Sequence, residues 1–159
     1  MTPEIEFSQL IEQHKRIIFK VIRLYVTHRE DELDLFQEII FQAWRSFPNF
    51  RGESKFSTWL YRISLNTVLT FIRRPRLVVP YEDLSVLKTS TGEKIHHEET
   101  EALYLAIRQL NEIDRMIVTL HLDGYANAEI ADITGLKISN VAVKLHRIKE
   151  ALIKKLKAQ

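Results

Sequence analysis

Apolar positions recur at three- and four-residue intervals along most of the 159 residues. That is the spacing of helices that each bury one face. Phe7, Leu10, Ile11, His14, Ile17, Ile18, Val21, Ile22 and Tyr25 mark a first helix, and the polar run THREDE breaks it. A second helix is predicted over residues 32–47, with Leu33, Phe36, Ile40, Ala43 and Phe47 turned inward. Pro48 stops it, because proline lacks the N–H that a continuing helix needs. A third helix starts near Ser54 or Ser57, either of which can cap its first amides, and runs to about residue 74, ahead of Pro75.

Residues 75–97 lose the period. Pro75, Pro80 and the STGEK stretch punctuate them, the mark of a linker. Fully extended, such a segment reaches at most roughly 75–80 Å, enough for two domains to dock at separated places on one large target. The helical period returns at Glu98, with Leu103, Ile107 and Leu110 inward on one helix. Ile113, Ile117, Val118 and Leu120 face inward on the next, which Gly124 terminates. Two shorter helices follow, over 127–134 and 138–157, joined by Gly135, Leu136 and Lys137. LVVPY is too short for a strand and carries a proline. The predicted fold is all-α: two small helical domains, 1–75 and 98–159, joined by a flexible linker over 76–97.

The segment AEIADITGLKISNVAVKLHRI carries the grammar of a helix-turn-helix. Ala131 permits a close helix crossing, and Gly135 tolerates the positive φ of a tight turn. Ile130, Leu136, Val141 and Leu145 seal the crossing, and the second helix is expected to bury Ile138, Val141, Leu145, Ile148, Leu152 and Leu156. Its opposite side presents Ser139, Asn140, Val143, Lys144, His146 and Arg147, small, polar or cationic groups suited to a major groove and its phosphates. The plain alternative is an antiparallel helix pair with a lysine-rich solvent face.

Charge sharpens the picture once it is mapped along the chain. Residues 45–76 hold seven Lys/Arg against one acid, and residues 135–159 again hold seven against one. The rest is acidic, although the whole chain nets only +2. Two basic blocks separated by polar sequence suit two contacts with a polyanion, where one alone would read as a solvated helix face.

The first block interleaves cations with rings. On the third helix Trp59, Arg62, Asn66 and Arg73 form one stripe, while Phe56, Leu60, Ile63, Val68 and Phe71 turn toward the core. The preceding loop adds Phe50 and Arg51. Rings offer unpaired bases a stacking surface and arginines hold the phosphates between them, so the stretch fits nucleic acid whose bases are exposed. The competing reading keeps Trp59 and Phe56 as packing, with arginines extending to water. On the second helix Asp34, Leu35, Glu38, Phe41, Gln42 and Arg45 lie away from the expected buried face, with Gln37 at its margin. Two apolar residues among acids suggest a docking patch for a basic protein, or a charged surface helix with stray apolars.

There are no cysteines, so disulfides and thiolate metal sites are excluded. No apolar run approaches the ~20 residues of a membrane span, and residues 1–16 carry acids unlike a signal peptide. A soluble cytoplasmic protein is expected. His96, His97, Glu98 and Glu99 are the best candidate for a metal-dependent enzyme, but adjacent histidines point in different directions on a helix and no HExxH spacing exists. Two other classes therefore stand as alternatives: a duplex-binding regulator that works without polymerase, and a nucleic-acid enzyme.

DLFQEIIFQAW, FRGESKFSTWLYRISLNTVLTFIRR and the helix-turn-helix resemble bacterial sigma factors, in particular the extracytoplasmic-function (ECF) group of the sigma-70 family. The resemblance covers nearly the whole chain, region 2 over about 8–75 and region 4 over about 98–157. It implies a transcription initiation factor, with no catalysis and no cofactor of its own, that directs core RNA polymerase to particular promoters. Asp34, Leu35, Gln37, Glu38 and Phe41 match the segment that docks on the coiled coil of the largest polymerase subunit. Phe50, Arg51, Ser54, Lys55, Phe56, Trp59, Arg62, Asn66, Arg73 and Arg74 match the parts that recognise and open the −10 element. Ser139, Asn140, Val143, Lys144, His146 and Arg147 match the helix that reads the −35 element. The resemblance also implies the polymerase flap as a contact of region 4, promoter DNA as a partner, and an anti-sigma factor. Three positions depart from the usual pattern: Thr70 stands where an acid is common, and Ala126 and Lys137 replace serine or threonine caps.

Overall fold

The structure is a computed structural model that describes residues 1–74 and 98–158. The linker assigned to 76–97, Arg76 and the side chains of His96, His97, Glu98 and Glu99 lie outside the described residues. Seven α-helices and one short 3-10 turn make up the described chain. They are α1 (Pro3–Tyr25), α2 (Arg29–Ser46), α3 (Phe56–Ile72), α4 (Glu98–Arg108), α5 (Glu112–Leu122), α6 (Asn127–Thr134) and α7 (Ile138–Lys157). The 3-10 turn, Phe47–Asn49, contains Pro48 and follows directly on α2. The all-α expectation holds, with no strand among the described residues.

Local signals account for several helix ends. The Thr2 hydroxyl accepts the Ile5 amide at 3.4 Å, Pro3 opens α1, and Glu4 and Glu6 sit at its positive pole. Asn111 caps α5 by accepting the Asp114 amide at 2.9 Å. Gly135 ends α6 in the left-handed region with φ 78°, its amide donating to the Ala131 carbonyl at 2.8 Å. A Cβ added there would meet nothing within 4 Å, so only backbone strain opposes a side chain. Gly135→Ala is expected to cost about 1–2 kcal/mol, read as a lower midpoint in thermal denaturation.

Other ends differ from expectation. Neither Ser54 nor Ser57 caps α3; the N-cap is Lys55, which makes no side-chain cap bond. Ala126 has no side-chain oxygen, so α6 keeps only the reciprocal half of a capping box, Glu129 Oε1 accepting the Ala126 amide at 3.3 Å. Lys137 leaves the first amides of α7 uncapped.

In the first domain α1, α2 and α3 bury Ile18, Val21, Ile22, Leu35, Ile39, Ala43, Leu60, Leu65 and Val68. The phase of α2 corrects the sequence reading. Leu35 is 1% exposed and leads the buried face, whereas Leu33, expected inside, is 51% exposed. Apolar residues occupy two adjacent stripes of α2, and the inward one is Leu35, Ile39 and Ala43. Phe36 lies at its margin, stacked on Phe19 at 4.7 Å. In the second domain Met116, Ile117, Leu120, Ile130, Ile133, Val141, Leu145 and Ile148 form the core. Ile138 is exposed and Leu156 lies at the exposed margin, contrary to expectation, because each sits near an open end of α7.

The two domains pack on each other, α3 against α6 and α1 against α5. Arg115 on α5 fastens this seam. Its Nη1 donates to the Leu24 carbonyl at 2.6 Å, and its Nη2 to the carbonyls of Arg108 at 2.9 Å and Leu110 at 3.1 Å. Its guanidinium lies 5.1 Å from the Tyr25 ring centroid, and the Tyr25 hydroxyl donates to the Glu112 carbonyl at 2.5 Å. Burial, more than the nearby charges, raises the Tyr25 pKa and keeps that donor protonated. Tyr61 meets Tyr125 edge to face at 5.4 Å. Burial likewise raises the Tyr61 pKa, with Tyr125 and Asp123 adding to the shift.

Candidate nucleic-acid and protein interfaces

Proline and glycine shape the approach to α3. After the 3-10 turn, Gly52 takes φ 73° and turns the chain so that Arg51 and Ser54 border the same hollow. Trp59 and Arg62, about one and two helical turns into α3, complete its wall. The result is a cleft of about 560 Å³ lined by Asn49, Phe50, Arg51, Glu53, Ser54, Trp59, Arg62 and Asp132. Five of the residues matched to −10 contacts are therefore brought together: Phe50, Arg51, Ser54, Trp59 and Arg62. Asn49 and Glu53 join them from the same loop. Asp132 comes from α6, and nothing in the local sequence signals it.

The rings pack chiefly on one another. Trp59 lies 5.0 Å from Phe50 and 5.3 Å from Phe56, and Phe47 stands 6.3 Å away. Phe56 is buried under this layer and also meets His14 at 5.1 Å. Phe56 thus leaves the set of residues matched to −10 DNA contact and keeps the core role that its place on the helix predicted, its ring packing against Trp59 and Phe50. Trp59 and Phe50 keep part of their surface open at the cleft. Asn66 and Arg74 are exposed but lie outside the cleft lining. Lys55 and Arg73 are exposed and face acids of the second domain, Glu129 at 3.7 Å and Glu112 at 2.8 Å.

On α2 Asp34, Gln37, Glu38 and Phe41 are exposed. Phe41 is 55% exposed, and Leu33 and Trp44 join it as apolar residues on the surface of α2. Leu35 leaves the docking set, since its burial in the core gives a partner nothing to touch. Leu33 is the residue that sequence reasoning missed here, its outward position hidden by the wrong helix phase.

On α7 Ser139, Asn140, Val143, His146 and Arg147 all face solvent. Lys144 is half-buried and reaches Asp114 of α5 at 3.4 Å, so one cation of the expected reading face is tied to its own domain. His146 Nε2 lies 3.3 Å from Glu150 along the same helix. Among the described residues no group of His, Asp and Glu is arranged to hold a metal ion, and no helix is long and apolar enough to cross a membrane.

A helix-turn-helix and a three-helix unit with a cleft lined by rings and by Arg51 and Arg62 suit a DNA-binding protein, and comparison with known proteins identifies the class. The family model of Sigma-70 region 2 matches residues 10–77 and that of Sigma-70 region 4 matches residues 100–152. The ECF RNA polymerase sigma-E factor of Escherichia coli (strain K12) is 29% identical over 92% of this chain and 84% of its own length. That of Haemophilus influenzae is 28% identical over 94% of this chain and 87% of its own. In fold the chain is similar to CnrH in complex with the cytosolic domain of CnrY, with a TM-score of 0.72 at 22% identity over 98% of this chain and 90% of that one. It is also similar to the sigma factor RpoE of Bartonella quintana in complex with the anti-sigma factor NepR, with a TM-score of 0.68 at 18% identity over 96% and 97% of the two chains. The chain belongs to the sigma-70 family, in its ECF group, and is a promoter-specific transcription initiation factor.

Proposed function

We propose that the chain binds core RNA polymerase through α2, captures unpaired bases of the −10 element in the α3 cleft and reads the −35 element with α7. It works in the cytoplasm and needs no catalysis of its own. The observation that carries this reading is the cleft, which Arg51 and Arg62 line together with the half-buried rings of Phe50 and Trp59. Unstacking a base step costs a few kcal/mol, and stacking on a protein ring returns ~1–3 kcal/mol per base, so binding energy alone can hold a strand open. On α2 Asp34 and Glu38 supply charge and Phe41 supplies an apolar anchor, a composition suited to a basic helical partner.

The proposed domains are 1–75 and 98–159 with a linker over 76–97, a division supported by the family matches over residues 10–77 and 100–152. The lone first-turn amides of α7, uncapped at Lys137, are free to meet a phosphate when the helix enters the major groove. An anti-sigma partner is part of the proposal, supported by two fold relatives whose structures hold such proteins or the cytosolic domain of a named partner.

Co-purification with bacterial core polymerase tests the first step. Co-elution that is lost in Phe41→Ala is expected; a chain that binds promoter DNA by itself and never joins core polymerase belongs to the rival class of stand-alone regulators. For α7, Asn140→Ala or Arg147→Ala is expected to weaken discrimination among −35 sequences by about 1–3 kcal/mol. Competition between promoters differing only at −35 reads that change, and unchanged promoter choice contradicts the assignment of α7.

A further inference from the structure

Lys144 stands apart from the other residues matched to −35 contact. Ser139, Asn140, Val143, His146 and Arg147 are exposed, whereas Lys144 is half-buried at the flank of α7. At 100° per residue it falls about 40° from Asn140 and about 60° from both Arg147 and the core residue Val141. Its Nζ donates to Oδ1 of Asp114, in the first turn of α5, at 3.4 Å. That carboxylate is itself held in place. Asn111 Nδ2 donates to Asp114 Oδ2 at 3.0 Å, and Asn111 Oδ1 accepts the Asp114 amide at 2.9 Å. Lys144 and Asp114 are both more enclosed than His146 and Glu150, which pair along α7, so water screens them less. Among the described residues no other α7 side chain forms a polar bond to another helix.

We propose that Lys144 is a positioning residue for −35 recognition: bonded to Asp114, it fixes the rotation of α7 about its own axis and makes no contact with DNA. The inference rests on the reading of α7 as the −35 helix. It follows from what else holds α7. Val141, Leu145, Ile148 and Leu152 are buried, and apolar burial is non-directional. Neither end adds direction, since Lys137 provides no cap, Ile138 is exposed and Leu156 lies at the exposed margin. A charged hydrogen bond demands a distance and an angle, so Lys144 supplies the missing constraint. Its leverage is large. Side-chain ends stand roughly 5–6 Å from a helix axis, so a rotation of about 10° moves them about 1 Å. That exceeds the ~0.5 Å range of a good N–H···O bond. Without the Asp114 bond, Asn140 and Arg147 lose their aim at base edges, while attraction to the phosphates persists.

The test uses the full chain assembled with bacterial core polymerase. The probe is a fluorescein-labelled duplex from a promoter that this holoenzyme is shown to use, ending upstream of the −10 element. Discrimination is the Kd for the same duplex with scrambled −35 bases divided by the Kd for the probe. Because it is a ratio on one preparation, loss of folded protein does not lower it. Lys144→Met keeps the apolar stem and should lower discrimination about three- to tenfold. The slope of log K against log salt should stay within about 0.3 of wild type, whereas loss of a phosphate contact would reduce it by about 0.9. Asp114→Asn should lower discrimination to the same extent, and the double variant no further, because one bond is lost in all three.

A slope reduced by about 0.9 in Lys144→Met means that Lys144 touches a phosphate, and overturns the positioning role. Full discrimination in either single variant, or losses that add in the double variant, overturns it as well. Wild-type holoenzyme that binds both duplexes equally overturns the assignment of α7 itself.

Discussion

Trp59→Ala should slow promoter opening by about ten- to a hundredfold while core polymerase binding stays within a factor of about three. The size follows from the stacking worth of one ring, ~1–3 kcal/mol per base, at 1.4 kcal/mol per factor of ten. The separation of the two effects follows from geometry. Trp59 opens onto the cleft beside Arg62, whereas Phe41 and Glu38 lie on α2, away from the cleft lining. Trp59 also packs on Phe50 and Phe56, so truncation will loosen the ring layer. Trp59→Phe separates the two roles, since it keeps a stacking face and most of the packing; it should recover most of the opening rate. Permanganate reactivity of thymines in the −10 region reads opening, and fluorescence anisotropy reads core binding. Equal loss in both assays would mean that the ring is only structural.

Leu35→Ala and Phe41→Ala should behave as opposites, although the sequence places both on one exposed patch. Leu35 is fully enclosed between α1 and α3, so its truncation should cost about 2–5 kcal/mol, through lost burial and the cavity left behind. In a domain of this size each kcal/mol lowers the melting midpoint by roughly 4–8 °C. Phe41 is more than half exposed, and its truncation should alter stability by no more than ~0.5 kcal/mol. As a central apolar anchor it should instead weaken core polymerase binding by more than about fivefold, or more than ~1 kcal/mol. Thermal melts and a binding titration on the same two proteins decide the matter. A stable Leu35→Ala, or a Phe41→Ala with full polymerase affinity, contradicts the placement of α2.

Much of this was legible in the chain because the helix-turn-helix combines strong local signals. The bounds of α6 and α7 agree with the periodic pattern, and Gly135 adopts the left-handed turn that its position required. The two-domain, all-α reading rested on the same long apolar periods. What escaped did so for physical reasons. In α2 the residues Leu33 and Phe36 compete with Leu35 and Ile39 for the inward direction, and periodicity alone cannot choose between adjacent stripes. In α3 two serines offered caps, and tertiary packing of Phe56 fixed the helix start instead. Phe56 itself looked both like core and like part of a ring-bearing loop; burial beneath Trp59 made it core. The seam left no trace in the sequence, since Glu112, Asp123 and Glu129 look like ordinary helix-end acids. Only folding shows them opposite Arg73, Lys20 and Lys55, each far away along the chain.

Transcription in vitro with purified bacterial core polymerase, followed by mapping of RNA 5′ ends, tests the central claim most directly. Adding the chain should produce transcripts from defined start sites that are absent with core polymerase alone, and Trp59→Ala should suppress them. Unaltered RNA synthesis with and without the chain, on every template that offers candidate promoters, would contradict it.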